Sequence, residues 1–237
     1  MRRLAQAVAR RVLGSAYPRA LKRWRRAQGA YRSRRVAAYT RRFVGWHGLT
    51  VSGGPFAGLT YPDTAPLSLV PKLLGVYESE LHAAVEDAIR ARPQTIVNVG
   101  AADGYYAVGL ARRCPGAQVI AYEADAQQLE LCRRVAAANG VAVDVRGAAG
   151  PGDLAGATLI VMDCEGCERA LLEPGIEATV IVELHDFLDA RVGEVVQRFA
   201  PTHDVTVVPT APQPPARHPL SEQRPGPMRW AVMTPRR

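Results

Sequence analysis

Two apolar runs in the second half of the chain end in groups that can move protons or hold cations. Residues 158–162 run into Asp163, Cys164 and Glu165, and residues 178–184 run through Glu183 to His185 and Asp186. Carboxylates and an imidazole at neighbouring strand ends can take a proton from a bound substrate. His185 is the first choice for that base, because an unperturbed imidazole titrates near ~6.5. Asp163, Glu165, His185 and Asp186 could instead hold a divalent cation; no metal ligand set is assigned. Glu165 has a second reading as the cap of a short helix, with Gly166 needed for the turn. His185 has one too, as a strand-end histidine with its hydrogen bonds satisfied.

A different chemistry is written into residues 95–106, T-I-V-N-V-G-A-A-D-G-Y-Y. A short β-branched run gives way to Gly100, Ala101, an aspartate at 103 and Gly104, and then to the start of a helix. A turn of small residues lets backbone approach a nucleotide closely. Residues 119–122, V-I-A-Y, read as the next strand, and Glu123 ends it about twenty residues after the glycines, where an acid can accept both hydroxyls of an adenosine ribose. The pattern is G-x-x-x-G, without the third glycine of a pyrophosphate cradle. Asp103 lies in the loop, where its charge would oppose a pyrophosphate. Both points favour S-adenosylmethionine (SAM), which has no phosphates and carries a cationic amine and a sulfonium, over NAD.

Four segments together, N-V-G-A-A-D-G-Y-Y, A-Y-E-A-D, V-M-D-C-E-G-C-E and V-E-L-H-D, resemble the class I SAM-dependent methyltransferases, and more narrowly the FkbM-type family. That family's first loop reads D-x-G-A-N-x-G, and its fourth strand ends in D-x-E-G-x-E. The likeness spans roughly residues 77–183, and one departure stands out: Asn98 occupies the place of the usual first acid. The resemblance implies a Rossmann-like fold, a mostly parallel seven-stranded sheet with helices on both faces and an antiparallel last strand. It also implies O-methylation of a hydroxyl on a small molecule or a sugar. The cofactor side would comprise Asn98, Gly100, Ala101, Asp103 and Gly104 on the first loop, with Glu123 and Ala124 at the ribose. Asp144, or Gly147 and Ala148, would flank the adenine. Asp163 would face both methyl donor and acceptor, with Glu165 and His185 beside it, and Asp103 would face the cofactor's amino group.

These groups need elements to position them. Alternating strands and helices are expected: strands at 95–99, 118–122, 141–146, 158–162, 178–184 and 204–208, and helices at 104–113, 125–139, 167–173 and 190–200. Such alternation makes a parallel sheet covered on both faces. Asn139-Gly140 stops the second of these helices. A Pro-rich loop at 209–227 leads to a closing strand at 228–233. Before the sheet, a helix is expected over 77–92, with Leu81, Val85 and Ile89 at spacing four and Pro93 as its stop. Its first turn carries Tyr77, Glu78 and Glu80, acids that suit the helix dipole or a contact to the methionine end of SAM. Residues 51–76 read as a Gly/Pro-rich lead-in with one short strand at 56–61, and 77–237 as the SAM-binding domain.

Charge divides the chain. Residues 1–62 hold 14 Lys+Arg and no Asp or Glu, which leaves 16 basic and 22 acidic residues in 63–237, a net −6. Residues 1–50 read as a basic helical arm that lies on an anionic membrane surface or contacts nucleic acid; Trp24, Tyr17 and the leucines favour the membrane. A solvated, loosely packed arm is the plainer reading. Four scattered cysteines make no disulfide scaffold, and Cys164 and Cys167 read as ordinary small residues at a helix start in a reducing, cytoplasmic setting. No stretch approaches the ~20 apolar residues that span a bilayer. Two functions stay open: an O-methyltransferase, or a non-catalytic nucleotide-binding Rossmann protein whose arm docks on membrane or nucleic acid. Asn98 favours the second, and the acids with His185 favour the first.

Overall fold

Buried β-branched and aliphatic runs make the centre of the molecule. The computed structural model describes residues 35–64, 66, 68–186, 191–212, 214, 218, 220–222 and 228–236. Seven strands form one sheet: β1 (Thr95–Val99), β2 (Gln118–Tyr122), β3 (Asp144–Arg146), β4 (Leu159–Met162), β5 (Thr179–Leu184), β6 (His203–Pro209) and β7 (Arg229–Pro235). Their order is β3-β2-β1-β4-β5-β7-β6. The first five are parallel neighbours, whereas β7 is antiparallel to both β5 and β6. The arrangement matches the expected Rossmann-like sheet, including the inserted last strand.

Successive side chains of a strand point to opposite faces, and the two cores follow that alternation. Ile96, Val119, Ala121, Leu159, Val161 and Ile181 belong to one buried cluster; Val97, Val99, Ile120, Ile160, Met162, Val180 and Val182 belong to the other. Helices α4 (Tyr105–Arg113) and α5 (Ala126–Ala138) pack on the first face. Helices α6 (Glu168–Leu171) and α7 (Glu194–Phe199) pack on the second. The chain therefore winds outward in both directions from β1 and β4, and these two adjacent strands flank the switch in strand order. In an open α/β sheet, ligands bind beyond the carboxyl ends of strands at such a switch.

Ahead of the sheet lie α1 (35–47), α2 (Leu69–Leu74), a 3-10 turn (Ser79–Leu81) and α3 (His82–Arg90). The helix expected over 77–92 begins only at His82, because Glu78 adopts a left-handed backbone with φ 47° and a 3-10 turn follows it. The strand expected at 56–61 is absent. Thr60 instead makes one bridge to Thr50, and its N–H and C=O pair with the side-chain amide of Asn139, the C-cap of α5. An amide side chain thus does for one residue what a neighbouring strand would do. Helix α2 lies inside the stretch read as lead-in, and its Leu69, Val70 and Leu73 join the core beside Phe56, Leu59 and Tyr61. Residues 1–34, most of the basic arm, lie outside the described residues, as does much of the loop at 209–227.

Candidate functional site

The loop after β1 sits directly against the loop after β4. Gly100 has φ 75°, and a Cβ there would lie 1.7 Å from the carbonyl oxygen of Asp163. Glycine is required on both counts. Four backbone N–H groups of this turn, those of Gly100, Ala101, Ala102 and Gly104, are committed. Gly100 and Ala101 donate to the Tyr122 carbonyl, at 2.9 and 3.0 Å, and Gly104 donates to Ala101 at 2.8 Å. Ala102 donates to Oε2 of Glu123 at 2.7 Å, while Oε1 of Glu123 accepts from Asp125 at 2.8 Å. A phosphate cradle works by offering unpaired N–H groups, and these four N–H groups have protein acceptors. Each Glu123 oxygen has used one lone pair and keeps another.

Asp103 does not face a ligand. It is 1% exposed, and its Oδ2 lies 2.5 Å from Nζ of Lys72, which is 5% exposed. Oδ1 accepts from the Tyr105 N–H at 3.1 Å. The ammonium also lies 4.9 Å from the ring centre of Tyr77 and 5.5 Å from that of Tyr105. The expectation that Asp103 meets the cofactor's amino group is therefore corrected: Lys72 on α2 is its counter-ion. Asp103 also ceases to argue against a pyrophosphate, since its charge is matched. Asn98 is 2% exposed; its Nδ2 donates to the Val161 carbonyl at 3.1 Å, and its Oδ1 has no hydrogen-bond partner. Gly147 and Ala148 lie exposed beyond β3, as does Ala124 beyond β2. Asp144 is drawn to Arg146 at the surface.

On the other side of Asp163, His185 is the hub. Its Nδ1–H donates to Oε1 of Glu168 at 2.5 Å, while Nε2 lies 3.3 Å from Glu183 and 3.4 Å from Asp163. The His185 and Glu183 side chains are 3% exposed and that of Asp163 is 37% exposed. Burial pulls the imidazole down, but hydrogen bonds to Glu168 and Glu183 and the charges of Asp163 and Glu183 outweigh it and set His185 at about 10. Burial pushes the Asp163 carboxyl well above the usual carboxylate range, and the charges of Glu183 and Glu78 act the same way. Both shifts favour the protonated forms, and the groups titrate together rather than singly. The expectation of His185 as a lone base titrating near 6.5 is accordingly corrected, and the acid–base unit is the whole cluster.

Two residues expected here are elsewhere. Glu165 is exposed, with φ 51°, and does not cap α6. Asp186 is exposed and bridges to Arg229 of β7 at 2.7 Å. Glu168, three residues beyond Glu165, takes the inner position because α6 carries it under the loop, fully buried. Sequence reasoning passed over it, although it is the last acid of the D-x-E-G-x-E segment. Lys72 was missed as well; a lysine among Leu69, Val70, Leu73 and Leu74 is the signal that would have found it. Cys164 and Cys167, read as ordinary small residues, are joined as a disulfide around Glu165-Gly166.

No family model matches the chain, and no curated protein matches it. Solved structures do resemble it in part. A putative O-methyltransferase from Klebsiella pneumoniae is 18% identical, with 68% of this chain and 81% of that one covered and a TM-score of 0.47. Cofactor-bound Rv0187 from MTB is 17% identical over 71% and 96% of the two chains, with a TM-score of 0.46. The O-methyltransferase TomG from Streptomyces achromogenes, involved in tomaymycin synthesis and solved with SAM, is 19% identical over 68% and 81%, with a TM-score of 0.44. Likeness at this level carries no activity across to this chain.

Proposed function

We propose that the chain is a SAM-dependent methyltransferase of the FkbM type that methylates a hydroxyl group on a small molecule or a sugar. The observation that carries this reading is the pair of loops at the β1–β4 switch. One side offers Glu123 and a turn in which four N–H groups are already paired within the protein; the other offers a buried proton-handling cluster. The residues fit the cofactor on one count from this chain alone: each Glu123 oxygen retains a lone pair for a ribose hydroxyl. When bound, the sulfonium supplies an electrophilic methyl group.

The protein's part is alignment and proton removal. Glu123 holds the ribose end and fixes the Ala102 turn at the same time. With the cofactor and acceptor bound, an unprotonated carboxylate of the Asp163–Glu183–His185 cluster would accept the hydroxyl proton. Asp163, its most exposed member, stands nearest the solvent side. The FkbM reading draws support from one contact in particular. Glu168 of D-C-E-G-C-E, the sharper family marker, and His185 of V-E-L-H-D are hydrogen-bonded to each other.

The test is thermal stabilisation by S-adenosylhomocysteine, the demethylated product, on the wild type and on Glu123→Ala. A ligand that binds only the native state raises the melting temperature by mass action. A clear rise for the wild type, at least halved in the variant, is expected. No rise for a folded wild type would defeat the reading.

A further inference from the structure

We propose that Asp163, Glu183 and His185 form the binding site of one first-row divalent metal ion, held by one oxygen from each carboxylate and by Nε2 of the imidazole. For its purpose the ion rests on the methyltransferase reading, since it would lie where the acceptor hydroxyl binds. For its existence it rests on the cluster alone.

Three independent features of the cluster point to a cation. The first is spacing. The three donor atoms all lie within 4.8 Å of one another, with Nε2 at 3.3 Å from Glu183 and 3.4 Å from Asp163. Ligands bound at about 2.0–2.3 Å and separated by right-angled to tetrahedral bites stand about 3.0–3.7 Å apart. The second is orientation. Glu168 accepts the Nδ1–H of His185, which turns Nε2 toward Asp163 and Glu183. A carboxylate behind a histidine in this way fixes the ring and makes its other nitrogen a better ligand. The third is an unpartnered atom. Glu183 is 3% exposed, yet its Oε1 has no hydrogen-bond partner. A buried carboxylate oxygen without a donor is costly unless a cation or a proton meets it.

The donor set also selects the ion. One imidazole and two carboxylates suit Mn2+, Fe2+, Co2+ or Zn2+ better than Ca2+ or Mg2+, which favour oxygen throughout. The nearby Cys164 and Cys167 sulfurs are joined to each other and supply no thiolate. Asp163 is 37% exposed, so the ion would be walled by protein on the His185 side and open on the other. An open position is the mark of a catalytic rather than a structural ion, and there an ion would make a bound hydroxyl more acidic. Glu165 and Asp186 are not ligands: one is exposed, and the other is held by Arg229.

The experiment uses the full chain, stripped with a chelator and dialysed, with Mn2+ as the probe and no SAM present. Free aqueous Mn2+ gives a paramagnetic resonance signal that falls on binding. The expected result is one site in the wild type. Glu183→Gln and the less buried Asp163→Asn should each lose more than about 100-fold in affinity. Glu168→Gln, which alters a positioning residue, should lose about 10- to 100-fold, and Glu165→Gln should leave affinity unchanged. Melting curves identify any variant that fails to fold, and Asp163→Asn then carries the test. Undiminished free Mn2+ signal with folded wild type overturns the proposal, as does equal binding by Asp163→Asn. SAM binding measured on the same stripped protein separates the two claims: SAM bound without any Mn2+ site retains the cofactor reading and removes the ion, and the converse removes the cofactor reading and retains the ion.

Discussion

Single residues fix the geometry here more firmly than the motif around them suggests. Gly100 is one such residue: Gly100→Ala combines a left-handed backbone with a clash against the Asp163 carbonyl that neither loop can relieve without moving. The expected loss is at least about 2 kcal/mol of stability, together with SAM binding; a urea melt and a titration read the two effects. Lys72 is another. Lys72→Met strands the buried Asp103 charge and should cost about 3–5 kcal/mol. Lys72→Met with Asp103→Asn removes the charge, keeps an acceptor for the Tyr105 N–H, and should restore at least half of that loss in the same melt. The glycines and Glu123 were legible in the sequence because turn chemistry demands particular residue types. The partner of Asp103 was not, since it comes from a helix some thirty residues earlier, and local spacing says nothing about which buried charges meet. The same limit sent the reading to Glu165 instead of Glu168.

Elements were easier to read than residues. β1 and β2 were legible to the residue because each is a β-branched run bounded by polar ends, with buried registers against their neighbours. β3 was read too long: only Val145 of the strand is buried, so apolar content at 141–143 did not mark pairing. Helix α2 was missed because six residues are too few for a helical period to stand out from a Gly/Pro-rich stretch. At this scale the sheet has a pH-sensitive strap. The Arg229 guanidinium beside Asp186 holds that carboxyl below its usual value of 3.8 and ties the end of β5 to β7. A lowered carboxyl adds stability that is present above its unfolded pKa and lost as pH falls through the lowered one. Both groups are partly exposed, so the gain is at most about 1 kcal/mol. Asp186→Asn should therefore melt slightly below the wild type at pH 7, and the gap should close as pH falls through the lowered Asp186 value.

Over the whole chain, a basic stretch at 1–62 precedes an acidic remainder. Among the described residues the basic stretch includes α1, where Phe43 is buried in the core while Tyr39, Arg41, Arg42 and Trp46 are exposed. No helix of the described residues is long and apolar enough to cross a membrane. The proposed function requires that the β1–β4 switch take SAM rather than a dinucleotide, because the N–H groups of Gly100, Ala101, Ala102 and Gly104 already have protein acceptors. Calorimetric titration of the wild type with SAM and, separately, with NAD tests that claim most directly. The account predicts micromolar binding of SAM and no measurable binding of NAD. NAD binding as tight as SAM, or binding of NAD alone, would contradict it.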